Sequence, residues 1–437
     1  MENCKFARIN FERVIQYHRF VLENGLRVLV HTDESTPLVA VNLLYDVGSR
    51  NETPEKTGFA HLFEHLMFGG SSSAPSFDEP IQLAGGENNA FTNADITNFY
   101  CTIPATNLET ILWLEADRMH QLALDEKSLN IQRQVVVEEF YETSINQPYG
   151  DVWHLLSAIA FKEHPYRWPT IGIHPSHIEN ANLEDVASFY RSFYGPNNAI
   201  LVLSGNINVA NAQVLTKKWF GNIHARTKPN GLIRNEPPQN ELRREKHFRD
   251  VPTDALYLAF HMVERTHPDY AAIDFLSDVL ANGKSSYLYQ RLYKKKRLCN
   301  AIDAYITGTR DSGLFIVEAK PAQGVSIETL EKAIWDELEG VSKIPITEQV
   351  LVKLKNKVEN TIEFGGTSIQ AKAMNLAYFE WLGDPEMINT EFSKYQTLTI
   401  QDIQRVANQI LIKENCSILE YCRLASTQDQ SVRTSIV

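Results

Sequence analysis

The stretch Ala60-His61-Leu62-Phe63-Glu64-His65-Leu66-Met67-Phe68, closed by Gly69-Gly70, constrains this chain more than any other. A helix advances about 100° per residue, so His61, Glu64 and His65 fall within an arc of about 100° on one face. Two neutral imidazoles one turn apart make half of a tetrahedral zinc site, and the carboxylate beside them can address a water on the metal. The order is HxxEH, the reverse of the commoner HExxH. Helix ends are legible around it: the turn-rich stretch 48–54 and Thr57-Gly58 precede the apolar run, and Gly69 stops it. A single helical His is usually a satisfied structural residue. A pair at this spacing needs a third ligand from elsewhere, and therefore a second element packed on this helix.

That element is expected at 125–143, a helix with Asp125 as its N-cap. Leu129, Val136 and Phe140 mark its buried stripe. Of the acids nearby, Glu138 points almost opposite the stripe and Glu142 lies further round, while Glu139 sits on the flank. A solvated acidic face is the competing reading of all three. With two histidines upstream, Glu139 is the carboxylate whose geometry allows it to turn inward as a ligand.

Around these helices, strands are expected at 25–31 and 38–47, the second apolar on both faces. A turn at 85–86 leads into an irregular strand, followed by a strand at 97–103 and a helix at about 108–122. A helix near 182–194 and a strand at 199–205 close the first half. His174 and His177 flank Pro175 and read as loop structure. Between 226 and 250 the composition shifts to Pro229, Gly231, Pro237-Pro238 and mixed charge, which reads as a linker.

Beyond it the first half weakly repeats, as a duplication. Residues 255–260 parallel the strand at Leu38, and 273–283 parallel the metal helix with its glycine stop. In that register Asp274, Ser277 and Asp278 stand at His61, Glu64 and His65, and Thr361 stands at Glu139. Residues 400–403 likewise parallel 183–186. The expected organisation is a catalytic half at 10–225, the linker at 226–250 and a non-catalytic half at 251–437, with one zinc site per chain.

A chain of 437 residues exceeds one ordinary core, which agrees with two halves. No apolar run approaches the roughly 20 residues of a membrane span. The net charge of −12 argues against nucleic acid and anionic membranes and suits basic, extended peptides. The amino terminus shows no secretory or transit pattern. Five scattered cysteines (Cys4, Cys101, Cys299, Cys416, Cys422) suggest reduced thiols in a cytoplasm. The run Lys294-Lys295-Lys296-Arg297 reads as a solvated helix end.

The chain resembles the pitrilysin zinc metallopeptidases, the family of insulin-degrading enzyme and the mitochondrial processing peptidase, over about residues 17–425. The resemblance rests on His61-Leu62-Phe63-Glu64-His65, Gly86-Glu87-Asn88-Asn89-Ala90-Phe91-Thr92 and Val135-Val136-Val137-Glu138-Glu139. It also rests on Pro165-Tyr166 with Ile171-Gly172, and on Tyr194-Gly195-Pro196-Asn197-Asn198-Ala199. It implies an α+β fold of two similar halves, each a curved, antiparallel-rich sheet covered by helices. It implies His61, His65 and Glu139 as zinc ligands and Glu64 as general base in a zinc-dependent endopeptidase acting on extended peptides. A zinc-binding core or scaffold subunit of a processing complex, without catalysis, is the alternative. The family usually carries another Glu seven residues before the ligand Glu; here Gln132 stands there, able to hydrogen-bond but not to bring charge.

Asn89 and Ala90 match the segment that holds the substrate backbone. A peptide is expected to add as a strand along 89–92, with Phe91 either lining a side-chain pocket or serving the core. Active assemblies of the family enclose a chamber in which a second element supplies an Arg and a Tyr. At the matching positions this chain has Tyr293 and Asn300. That resembles the short bacterial catalytic subunits, and implies a heterodimer with a zinc-less homologous subunit that brings the Arg and Tyr, or failing that a homodimer.

Overall fold

The computed structural model describes residues 14–227, 233–340 and 346–424. The strands β1 (His18–Val21), β2 (Arg27–Thr32), β3 (Leu38–Tyr45), β4 (Glu87–Thr92), β5 (Thr97–Pro104) and β6 (Ala199–Gly205) form one sheet. Its order is β1-β2-β6-β3-β5-β4. A second sheet holds β7 (Arg243–Arg249), β8 (Ala255–His261), β9 (Cys299–Ile306), β10 (Leu314–Pro321) and β11 (Cys416–Arg423), in the order β7-β11-β8-β10-β9. β2 runs parallel to β6 and β7 parallel to β11; the other pairs are antiparallel. The orders β2-β6-β3-β5-β4 and β7-β11-β8-β10-β9 share one connectivity, so the duplication read from the sequence is a duplication of topology. β1 is an addition at one edge.

The helices are α1 (Phe59–Leu66), α2 (Asp78–Leu83), α3 (Leu108–His120), α4 (Glu126–Phe140), α5 (Val152–Ala160), α6 (Ser176–Glu179), α7 (Leu183–Phe193) and α8 (Val209–Phe220) in the first half. The second half has α9 (Tyr270–Leu280), α10 (Ile327–Leu338), α11 (Glu348–Gly365), α12 (Ile369–Leu382), α13 (Met387–Thr397) and α14 (Ile400–Ile410). Asp125 caps α4 by accepting the Ser128 N–H at 2.7 Å.

Side chains alternate across a strand, and both faces of each sheet are covered. Val39, Val41, Leu43 and Tyr45 of β3 point into a core shared with α1, α3, α4, α7 and α8, while Ala40 and Leu44 point the other way. The covering of that second face comes from the other half: Ala373, Leu376, Ala377 and Trp381 of α12 pack on Leu29, Ala40, Leu44, Ile200 and Val202. The exchange is reciprocal. Val152, Leu156, Ile159 and Ala160 of α5 pack on Ala255, Tyr257, Ala259, Leu314 and Ile316 of the second sheet. Each half thus lends the helix that follows its α4-type helix, which explains why strands such as β3 and β8 are apolar on both faces.

Polar contacts lock the same seam. Arg50 lies against Asp46 and Asp95 of its own half, at 3.4 and 3.3 Å, and against Asp311 of the other at 3.0 Å. Asp95 accepts the Arg310 backbone N–H at 3.0 Å, and the Trp381 indole donates to Asp46 at 2.8 Å.

Several local expectations are refined. Part of the stretch read as a linker, Arg243–Arg249, is the edge strand β7; Pro229 and Gly231 lie outside the described residues. Its charged composition suits a sheet edge with one face to solvent. The helix expected to 143 passes after Phe140 into a π-helical turn, Tyr141–Asn146. The lysine run closes a second such turn, Tyr289–Lys295, as an exposed helix end, and its Lys296 also pairs with Glu337 at 2.8 Å. Cys101, Cys299, Cys416 and Cys422 are buried free thiols, and Cys4 lies outside the described residues. No helix among the described residues is long and apolar enough to cross a membrane.

Candidate active site

α1 buries Phe59, Ala60, Leu62, Phe63 and Leu66 against the first sheet, and Phe63 stacks on Phe189 and Tyr194. The remaining face carries His61, Glu64 and His65. α4 lies across α1, its Leu129 and Val136 entering the same core, and this turns Glu139 toward the two histidines. Glu138 and Glu142 are exposed. The two Nε2 atoms are 3.3 Å apart; His61 Nε2 is 3.6 Å from Glu139 Oε1, and His65 Nε2 is 3.4 Å from Glu139 Oε2. The rings stand almost perpendicular, at 87°.

These separations test whether a metal fits. An ion with tetrahedral bonds of about 2.0–2.1 Å holds its donors about 3.3–3.4 Å apart, so the three donors span one face of a zinc tetrahedron. The chemistry agrees: two imidazoles and one carboxylate, with the fourth direction open. Among the described residues this is the group of three such side chains able to hold an ion.

Protonation suits the same use. Burial pushes His61 down to about 4, against the upward pull of Glu139, so its ring is neutral near pH 7. The hydrogen bond from His65 holds the Glu139 carboxyl below the ordinary range, against the effect of burial. Glu64 moves oppositely: burial raises it, and contacts with Thr92 and His65 only partly offset this. One carboxylate is therefore held ionised and its neighbour is held more basic, the split expected of a ligand and a proton carrier.

β4 runs beside this face as an edge strand, hydrogen-bonded on one side to β5 and free on the other. Asn89 is exposed and its Oδ1 accepts the N–H of Ala90 at 2.8 Å. Phe91 leans on the cluster beneath α12, and Thr92 meets Glu64. Gln132 is half-buried two turns before Glu139 on α4. His177 is engaged elsewhere, its Nδ1 lying 2.8 Å from the Thr57 hydroxyl.

In the second half the corresponding residues do not assemble a ligand set. Asp274 accepts from Tyr395 at 2.9 Å, and Asp278 is paired with the Lys357 ammonium at 2.7 Å. A side-chain cation neutralises the acid there. Tyr293 stacks on Tyr289, and Asn300 donates to the Pro321 carbonyl at 3.4 Å.

Two buried ionisable side chains at the ends of α1 escaped the sequence reading. Glu52 accepts the N–H groups of Gly58 and Ala60 at 2.9 and 2.8 Å. At the other end Arg118 donates to the Met67 carbonyl at 3.2 Å and is held by Glu115 at 2.6 and 2.8 Å. The only sequence hint was a charged pair at i, i+3 inside the apolar run of α3; nothing local marks Glu52.

Comparison with known proteins places the chain in a family. The family described as "Insulinase (Peptidase family M16)" matches residues 27–173, and "Peptidase M16 inactive domain" matches residues 180–358. The chain is 32% identical to the zinc protease PqqE of Helicobacter pylori over 413 residues, covering 92% of each. It is 26% identical to the probable mitochondrial-processing peptidase subunit beta of Arabidopsis thaliana, covering 91% of this chain and 76% of that one. The crystal structure of a protease from Helicobacter pylori superposes with a TM-score of 0.88 at 31% identity, over 94% of this chain and all (100%) of that one. With both family matches, that degree of identity and the paired-sheet fold in agreement, the chain belongs to peptidase family M16, the pitrilysin or insulinase family.

Proposed function

We propose that this M16 peptidase is a zinc-dependent endopeptidase that cleaves extended or unfolded peptide segments, with Glu64 as its general base. The observation that carries the reading is the convergence of His61, His65 and Glu139 at tetrahedral spacing, with Glu64 on the same face of α1. A zinc ion held by those three side chains would supply the Lewis acidity that polarises the scissile carbonyl and makes water acidic. Glu64 takes a proton from the attacking water and passes it to the departing amine as the C–N bond breaks. Its raised proton affinity matches both halves of that task. The open edge of β4 is available to backbone groups of a bound peptide at Asn89, Ala90, Phe91 and Thr92, a mode that tolerates many side chains. Gln132 is assigned an outer supporting role on the Glu139 side.

Tyr293 and Asn300 occupy the places where the Arg and Tyr of the chamber wall are expected, so a zinc-less homologous subunit supplying both is the proposed partner, with a second copy of this chain as the fallback. The relative named as a processing-peptidase subunit supports a subunit role of this kind.

The test is Glu64→Gln. It should retain zinc and lose at least about 100-fold in hydrolysis of a quenched peptide, the scale of a general base. Full activity in that variant would remove Glu64 from the mechanism. Stoichiometric zinc without hydrolysis in the wild-type protein, alone and with its partner, would favour the scaffold role instead.

A further inference from the structure

We propose that Glu52 is a positioning residue for the metal helix: by receiving the N–H groups at the start of α1 it sets where His61 and His65 meet Glu139. This rests on the zinc peptidase reading.

The first N–H groups of any helix lack partners within it. Seven of the other helices among the described residues supply their own cap, while α2, α3, α5, α6, α9 and α13 have no side-chain cap. Asp125, Asn182, Asn208, Ser326, Thr347, Ser368 and Thr399 each accept from the N–H three residues on. α1 cannot do this. Its N-cap is Gly58, at φ +87°, where a Cβ would come within 2.9 Å of the Ile171 carbonyl and 3.0 Å of Ile178. No side chain fits, so the cap must come from elsewhere, and Glu52 delivers it from the preceding loop. Both oxygens are used, Oε2 by Gly58 and Oε1 by Ala60. Two fixed points, at the buried amides of Gly58 and Ala60, set the rotation of the helix as well as its height. Ala60 immediately precedes His61.

The base on which Glu52 stands is firm. Ser49 and Arg50 donate backbone N–H groups to Asn93 and Ala94, and the Trp168 indole donates to the Ser49 carbonyl at 2.8 Å. Arg50 is held by Asp46 and Asp95 of its own half and by Asp311 of the other. Burial pushes the Glu52 carboxyl up to about 8, against the downward pull of the Ala60, Gly58 and Phe59 N–H groups. Burying an acid is costly, and the chain does so at the helix that carries the ligands, where no residue at the N-cap position can cap from its own side chain. The matching helix α9, which carries none, starts at Asp269 with no side-chain cap. α1 has only eight residues, so an error at its start is carried directly to His61 and His65.

The test measures zinc affinity by chelator competition, and the visible absorption of the cobalt-substituted protein, for wild type and Glu52→Gln. In either protonation state both oxygens of Glu52 can accept, whereas a carboxamide offers one acceptor and sets a donor against the other N–H. The expected result is a folded variant with zinc affinity at least about 10-fold weaker, the loss typical of removing a group that orients ligands, and an altered cobalt spectrum. A folded variant with wild-type affinity and spectrum would overturn the proposal, because a merely stabilising cap lowers the melting temperature and leaves both readouts alone. If Glu52→Gln does not fold, Glu52→Asp is read by the same criteria; it keeps the carboxyl group but is one methylene too short to span both amides. Wild-type protein that takes up no zinc would instead overturn the peptidase reading itself, and this inference with it.

Discussion

Arg118 holds the far end of the metal helix, and replacing it should be expensive in a way that a second substitution repairs. Its guanidinium is fully buried, forms two hydrogen bonds to the equally buried Glu115, lies 3.9 Å from the Phe77 ring centre and donates to the Met67 carbonyl at 3.2 Å. Burial alone raises the Glu115 carboxyl, and Arg118 is what pulls it back. Arg118→Met removes the charge with little change in volume and strands Glu115 in the core. Breaking a buried pair from one side costs about 3–5 kcal/mol, and the Met67 carbonyl loses a donor at about 1 kcal/mol more. The expected loss is therefore about 4–6 kcal/mol. Adding Glu115→Leu removes the stranded charge, leaving the open carbonyl and the lost ring contact, about 1–2 kcal/mol. Urea unfolding followed by tryptophan fluorescence, with all four proteins in a double-mutant cycle, measures the coupling. A single-variant cost below about 1 kcal/mol, or a double variant as unstable as the two singles added, would refute the reasoning.

Three further outcomes follow from the site. Glu139→Gln should weaken zinc binding by more than about 100-fold, beyond the effect of an outer partner, while Glu138→Gln, on the exposed side of α4, should leave metal content unchanged in the same atomic-absorption measurement. Removing metal with a chelator should abolish peptide hydrolysis and lower the melting temperature, with both restored by zinc, since binding to the folded state alone is stabilising. In the metal-free protein, His61 stays neutral down to about pH 4, whereas in the unfolded chain it takes up a proton near its ordinary 6.5. The unfolded state then binds more protons between those values, so stability falls as pH drops from about 6.5 to 4. His61→Gln should remove one proton from that slope, about 1.4 kcal/mol per pH unit; an unchanged slope in urea titrations at several pH values would contradict the burial of that ring.

What could be read from the sequence was what depends on neighbours along the chain. Three side chains at positions 61, 64 and 65 share a face because helical periodicity is local, and Asp125 announces the start of α4 because a cap reaches only three residues ahead. The two-sided apolar runs at β3 and β8 were likewise visible, and with them the echo of one half in the other. Nothing local said which element covers the second face of each sheet. The reciprocal lending of α5 and α12 is a matter of long-range packing, and an apolar strand looks the same whichever helix lies on it. β7 was read as linker because an edge strand facing water on one side can be as charged as a loop.

The site divides in the same way. The sequence by itself determined the donor types and the histidine spacing, because these are properties of one helical turn. Only the tertiary structure decided that the acid favoured by the helical wheel, Glu139, comes within 3.6 Å of His61 and 3.4 Å of His65, because the crossing of α4 over α1 carries its inner flank onto them. It also decided that Glu52 from the preceding loop and Arg118 from α3 grip the two ends of α1, since a buried ionisable group is tolerated only where the folded chain brings it partners.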